Sequence, residues 1–106
     1  MTHNYRRGAD FERDVRAALT NNGWHATRSA GSHGSADIVA LPPRNVVYKH
    51  AQPWLVQCKT DGKLPLVEQS VLLDTARRYG AIPILAWKRK GAVVYLDLRF
   101  DEETEP

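Results

Sequence analysis

Phe11, Val15, Ala18 and Leu19 recur at helical spacing between Arg6 and Asn22, and Asn21-Asn22-Gly23 closes the run with residues suited to a helix stop. The spacing predicts a first helix. Its inner stripe continues backward through Glu12 and Gly8, three and seven residues before Val15, so a carboxylate falls at the edge of the core-facing side. The plainest use for such a glutamate is a surface ion pair with Arg13 or Arg16.

The period then shortens. Residues 24–30, WHATRSA, alternate as a strand does, and GSHGS at 31–35 reads as a glycine-serine loop. ADIVAL at 36–41 is apolar on both faces and stops at Pro42 and Pro43, the pattern of a central strand in a sheet covered on both sides. Residues 44–52 are polar and aromatic, with a short extended piece at NVVY. PWLVQCKT at 53–60 is the next strand, and its alternation puts Leu55, Gln57 and Lys59 on one face and Val56 and Cys58 on the other. After the turn TDGK, residues 66–79 place Val67, Val71, Leu72, Ala76 and Tyr79 at helical spacing, capped by Gly80. AIPILAW and AVVYLDL follow as two strands joined into a hairpin by the basic turn KRKG at 88–91. The predicted order is αβββαββ, an α/β fold.

At 106 residues the chain is one domain with a core of adequate size, and 42% hydrophobic content suits a globular protein. No apolar run approaches the roughly 18 residues of a membrane span, and the basic N-terminus is not followed by a stretch of signal-peptide length. A single cysteine, Cys58, excludes an intramolecular disulfide and fits a reducing interior. The expectation is an intracellular, cytoplasmic protein that makes no use of a membrane. Net charge is +3, yet Asp97, Asp101, Glu102, Glu103 and Glu105 lie within the last ten positions. Residues 1–96 carry 14 Lys and Arg against 7 Asp and Glu, an excess that suits either a polyanionic partner, most simply nucleic acid, or a merely soluble basic surface. The acidic tail from about residue 100 is expected to be a frayed, solvated end. His3, His25, His33 and His50 lack zinc-ligand spacing, and Trp24, Trp54 and Trp87 are not interleaved with basic residues as base-stacking platforms are.

What needs explaining is a carboxylate, an amide and an ammonium inside strand-like runs. Burying Asp37 costs several kcal/mol unless it is paired or meets a metal. Asp37, Gln57 and Glu12 are hard oxygen donors and Lys59 is a cation beside them, a set that suits Mg²⁺ and phosphodiester hydrolysis. The alternative use is a buried Asp37–Lys59 ion pair with Gln57 as a satisfied core amide.

These residues sit in segments that resemble a known family. RGADFER at 7–13, RSAGSHGSADIVA at 28–40 and QCKT at 57–60 are similar to the matching segments of archaeal-type Holliday junction resolvases, within the nucleases that share a PD-(D/E)-x-K core. The resemblance spans roughly residues 6–97. It implies a restriction-endonuclease-like core with a central mixed five-stranded sheet flanked by helices. It also implies a catalytic cluster of Glu12, Asp37, Gln57 and Lys59, with Ser32 near the scissile phosphate. Glu12, Asp37, Gln57 and the backbone carbonyl of Cys58 would hold Mg²⁺, for which Mn²⁺ substitutes. Arg7, Arg28, Lys88, Arg89 and Lys90 would contact DNA, and a homodimer would nick opposed strands of a four-way junction, leaving 5′-phosphate and 3′-hydroxyl ends. One departure matters: most members carry glutamate where this chain has Gln57, which removes a negative charge but keeps an oxygen donor. A nuclease of the same fold acting on other DNA structures, such as plain duplex, flap or damaged DNA, or a junction-binding protein whose catalysis Gln57 has weakened, are the readings that compete.

Overall fold

The computed structural model describes residues 2–29, 35–44 and 51–106, with side chains from Gly8 onward in the first helix. In chain order the elements are α1 (Thr2–Asn21), β1 (His25–Arg28), β2 (Ile38–Leu41), β3 (Trp54–Cys58), α2 (Leu66–Tyr79), β4 (Ile82–Arg89), β5 (Ala92–Asp97) and β6 (Glu102–Thr104). The six strands form one sheet in the order β1-β2-β3-β4-β5-β6. All neighbours are antiparallel except β3 and β4, which α2 joins as a parallel crossover.

Each helix ends as its sequence predicts. At the end of α1 Gly23 takes φ 87°, and the N–H groups of Gly23 and Trp24 donate to the carbonyls of Thr20 and Leu19. This pairing satisfies carbonyls the helix leaves open and turns Trp24 into the core. Phe11, Val15 and Leu19 of α1 are fully buried against Ala26, Ile38, Trp54, Val56, Ile84 and Ala86. Trp24, Trp54 and Tyr95 stack along that face, with ring centroids 4.7 and 5.4 Å apart. On the opposite face Leu72 of α2 packs with Ala36, Leu85 and Leu98, flanked by Leu55, Leu64, Leu73 and Trp87.

Four expectations change. The sheet has six strands, not five, because the acidic tail is not frayed: Glu102–Thr104 pairs with Tyr95–Asp97, and Arg89 grips Glu103 with both ends of its guanidinium. β2 is covered on one face only, with Ile38 and Ala40 buried but Val39 and Leu41 exposed. Among the described residues no helix covers the other side of that strand. Along α2 only Leu72 and Ala76 of the predicted stripe are buried; Val67 and Tyr79 are 76% and 74% exposed, beside Leu66 at 80%. The helix is rotated so that its hydrophobic residues are divided between sheet and solvent. Finally, Lys88 and Arg89 belong to β4, and only Lys90 and Gly91, at φ 52° and 81°, make the hairpin turn. The extended piece expected at 45–48 lies outside the described residues.

Candidate active site

Asp37 stands immediately before β2, where the β2–β3 ladder runs out. Its backbone N–H donates to Val56 O at 2.8 Å, and its Oδ2 accepts the Cys58 N–H at 2.8 Å. A side chain thus takes the place of the next rung. That bond favours the ionised carboxyl, yet burial outweighs it and raises the Asp37 pKa, with the charges of Glu12 and Glu68 pushing the same way and Lys59 opposing. Burial likewise pushes the Cys58 thiol up, so this side chain, packed against the α1-side core, stays a neutral filler. Strand alternation turns the Cys58 carbonyl toward the same side as its N–H, next to Asp37.

Gln57 and Lys59 share a face of β3 with Leu55, the side on which α2 packs. Gln57 is buried, at 8% exposure, and its Nε2 donates to the carbonyl of Ser35 at 2.8 Å. That bond fixes which end of the amide is which and leaves Oε1 as the end that a metal or a hydrogen-bond donor could meet. Lys59 follows directly: its N–H donates to Ala86 O at 3.0 Å, and its carbonyl accepts from Gly62 N–H at 2.9 Å to close a tight turn. Gly62 is at φ 74°, and a Cβ there would stand 3.2 Å from the Trp87 ring, so this turn requires glycine. The Lys59 ammonium lies 3.5 Å from Glu68 Oε1 in the first turn of α2.

Glu12 approaches from α1. Its partner is neither Arg13, which pairs with Asp10, nor Arg16, which donates to Ala26 O. Instead Arg28 of β1 places Nε and a terminal nitrogen 3.3 and 3.2 Å from Glu12 Oε1, leaving Oε2 unbonded among the described residues. Lys59 pairs with Glu68, and among the described residues no Asp37–Lys59 ion pair forms, so the explanation of Asp37 by a buried salt bridge fails.

The remaining expectations divide. Ser32 and the side chain of Arg7 lie outside the described residues. Lys88 faces Asp14 at 3.8 Å and covers the Phe11 ring, and Arg89 is held by Glu103, so of the basic trio only Lys90 at the turn has no such partner among the described residues. Glu68 was missed: an acidic residue in the first turn of a helix is commonplace, and no spacing rule ties it to a lysine nine residues earlier.

The donors nominated from the sequence, Asp37, Gln57 Oε1, Glu12 Oε2 and the Cys58 carbonyl, are all oxygens, with no imidazole or thiolate among them. They fit a hard cation such as Mg²⁺. Among the described residues no three of His, Cys, Asp and Glu come together as a group that could hold a metal ion, so the chain's own carboxylates there are at most a pair. An open set of this kind suits a cation that keeps waters and completes its shell on a substrate phosphate.

The model of the archaeal Holliday junction resolvase family matches residues 3–105. The chain belongs to that family. It is 30% identical over 101 residues to the crossover junction endodeoxyribonuclease Hjc of Methanocaldococcus jannaschii, covering 92% of this chain and 70% of the relative. It also superposes on the Archaeoglobus fulgidus Hjc, a Holliday junction resolvase from an archaeal hyperthermophile, with a TM-score of 0.70 and 31% identity, over 93% of this chain and 79% of that one. Members of this family are junction-resolving endonucleases that bind branched DNA and use divalent metal ions. Among the described residues no helix is long and apolar enough to cross a membrane.

Proposed function

We propose that this chain is a Mg²⁺-dependent endonuclease that resolves four-way DNA junctions by paired symmetric nicks as a homodimer, working inside the cell. The observation that carries the reading is the seam between β2 and β3. There Asp37 caps the end of the ladder while β3 presents the Gln57 amide oxygen and Lys59 beside it. A rigid sheet holds these groups, as the positioning of a metal against a phosphate demands.

In this reading Asp37, Gln57, Glu12 and the Cys58 carbonyl hold the metal. The chemistry a bound Mg²⁺ supplies is polarisation of the phosphate and neutralisation of the charge growing on its oxygens; Mn²⁺ can take its place. Lys59 orients the attacking water and offsets charge in the transition state. Hydrolysis leaves a 5′-phosphate and a 3′-hydroxyl. Ser32 is assigned a role at the scissile phosphate, and Arg7, Arg28, Lys88, Arg89 and Lys90 the phosphate contacts, which position DNA without reading its sequence. The exposed apolar side chains of α2, Leu66, Val67, Val71 and Tyr79, support pairing with a second copy, because a small monomer has little reason to leave so many in water. Leu64 and Trp87 are not among them, as both pack against the chain's own core.

The test is cleavage of a labelled synthetic four-way junction beside a linear duplex of the same sequence, in Mg²⁺ or EDTA, with Asp37→Asn as control. Symmetric Mg²⁺-dependent nicks are expected on the junction alone. Removing even an outer partner of a metal ligand costs roughly 10- to 100-fold, so Asp37→Asn should lose at least that much activity. Tight junction binding without cleavage would point instead to a binding protein disabled at Gln57, and equal cutting of both substrates would remove the junction selectivity.

A further inference from the structure

We propose that Glu68, acting through Lys59, supplies the negative charge that Gln57 does not bring to this site, and is therefore a positioning residue for the reaction. The inference rests on the metal-nuclease reading above. With an amide at position 57, the charges flanking the seam are Asp37 and Glu12 against Lys59 and Arg28, which sum to zero. A neutral cluster is a poor host for a divalent cation. Glu68 is the acidic group that meets Lys59: its Oε1 lies 3.5 Å from the ammonium, while no carboxylate of the seam itself pairs with Lys59 within 4.0 Å among the described residues.

The fold places Glu68 there. The Gly62 turn brings the chain straight from β3 into α2, and Leu64, Leu72 and Leu73 pin that segment to the sheet. The helix N-terminus favours a carboxylate and disfavours an ammonium, so Lys59 is drawn to the side chain of Glu68 and not to the open N–H groups around it. The pair is long and partly open to solvent, with Lys59 and Glu68 side chains 33% and 44% exposed, so it stabilises the fold little. What it fixes is the position and effective charge of the lysine. Glu68 also acts directly on Asp37, but more weakly than Lys59 does, so the larger part of its influence on the seam passes through Lys59.

The experiment is calorimetric binding of Ca²⁺, which fills such sites without requiring turnover, to the full chain and to Glu68→Gln, Lys59→Met, the double variant and Asp37→Asn. Glu68→Gln should weaken Ca²⁺ binding about tenfold, the screened repulsion between a divalent cation and a Lys59 charge that no longer has a partner. Its melting temperature should move by less than about 3 °C. In the Lys59→Met background the same substitution should change affinity less than about twofold, since double-mutant cycles separate direct from transmitted effects. Adding Gln57→Glu to Glu68→Gln should restore the affinity. In junction cleavage Glu68→Gln should lower kcat with KM unchanged. An affinity within twofold of the parent for Glu68→Gln, or a full tenfold loss that persists without Lys59, overturns the inference. If Asp37→Asn leaves Ca²⁺ binding unchanged, the metal site itself is misplaced and both readings fall; if Asp37→Asn weakens binding and Glu68→Gln does not, only this inference falls.

Discussion

The two faces of the sheet are built differently. On the α1 side a 20-residue helix lays Phe11, Val15 and Leu19 on a continuous floor that includes Ile38, Val56 and Ile84, and three stacked aromatic rings fill the rest. On the α2 side a 14-residue helix seats only Leu72 and Ala76 fully. It leaves Val39 and Leu41 of β2 uncovered and turns Leu66, Val67 and Tyr79 to solvent. The polar residues Gln57 and Lys59 occur on this second face, and Asp37 lies in the seam beside it. The difference teaches where such a domain can place chemistry: one closed face supplies the burial that holds the sheet rigid, so the end of the other face can carry groups whose desolvation costs free energy.

Core truncation should test that division most strongly. Phe11→Ala removes a fully buried ring from the closed face and should cost about 4 kcal/mol, read from urea melts. Leu73→Ala, half-buried on the other face, should cost clearly less. Equal losses would mean that both faces contribute alike. A smaller effect of opposite sign is expected at the seam. Burial raises the Asp37 carboxyl pKa in the folded state, so its ionised form opposes folding at neutral pH, and that penalty fades as pH falls through the folded pKa toward the ordinary value of 3.8. Asp37→Asn should therefore stabilise the metal-free protein at pH 7.5, with the gain shrinking toward pH 4. Thermal melts in EDTA across that range would measure it, and a destabilised variant would show that the bond from Cys58 N–H outweighs the burial. Smallest of all in the monomer, Val67→Ser with Tyr79→Ser should shift stability by no more than about 0.5 kcal/mol each, because both side chains are already in water. If the proposed homodimer uses this helix, the same pair should lower the dimer fraction in sedimentation, and an unchanged fraction would remove the exposed apolar residues of α2 as the contact.

Much of the fold was legible because α1 buries one side of a regular period and the longer strands are apolar runs bounded by turn residues. Phe11, Val15 and Leu19 mark the inner face of α1 without any knowledge of what lies beneath it, and Gly23 and Gly80 stop both helices at the expected residues. Illegible were the features in which side-chain pattern is not what decides. β6 is three residues of Glu-Glu-Thr with no apolar alternation; it forms because β5 offers an open edge and Arg89 a partner for Glu103. ADIVAL read as two-sided because all its residues after Asp37 are apolar, yet coverage depends on how far α2 extends across the sheet, which no local pattern encodes. For the same reason the face of α2 was only partly read: with Leu66, Val67, Val71, Leu72 and Leu73 nearly adjacent, the helix has more apolar positions than one contact can use.

Sequence by itself determined that Gln57 and Lys59 share a face of one strand and that Asp37 opens its neighbour, since alternation is a property of the covalent chain. Only the tertiary structure decided which charge meets which. Glu12 turned from Arg13 and Arg16 on its own helix to Arg28 on a strand, and Lys59 turned from Asp37 to Glu68. Those choices depend on how elements separated along the chain pack together, and a difference of a few ångström in that packing selects one partner over another.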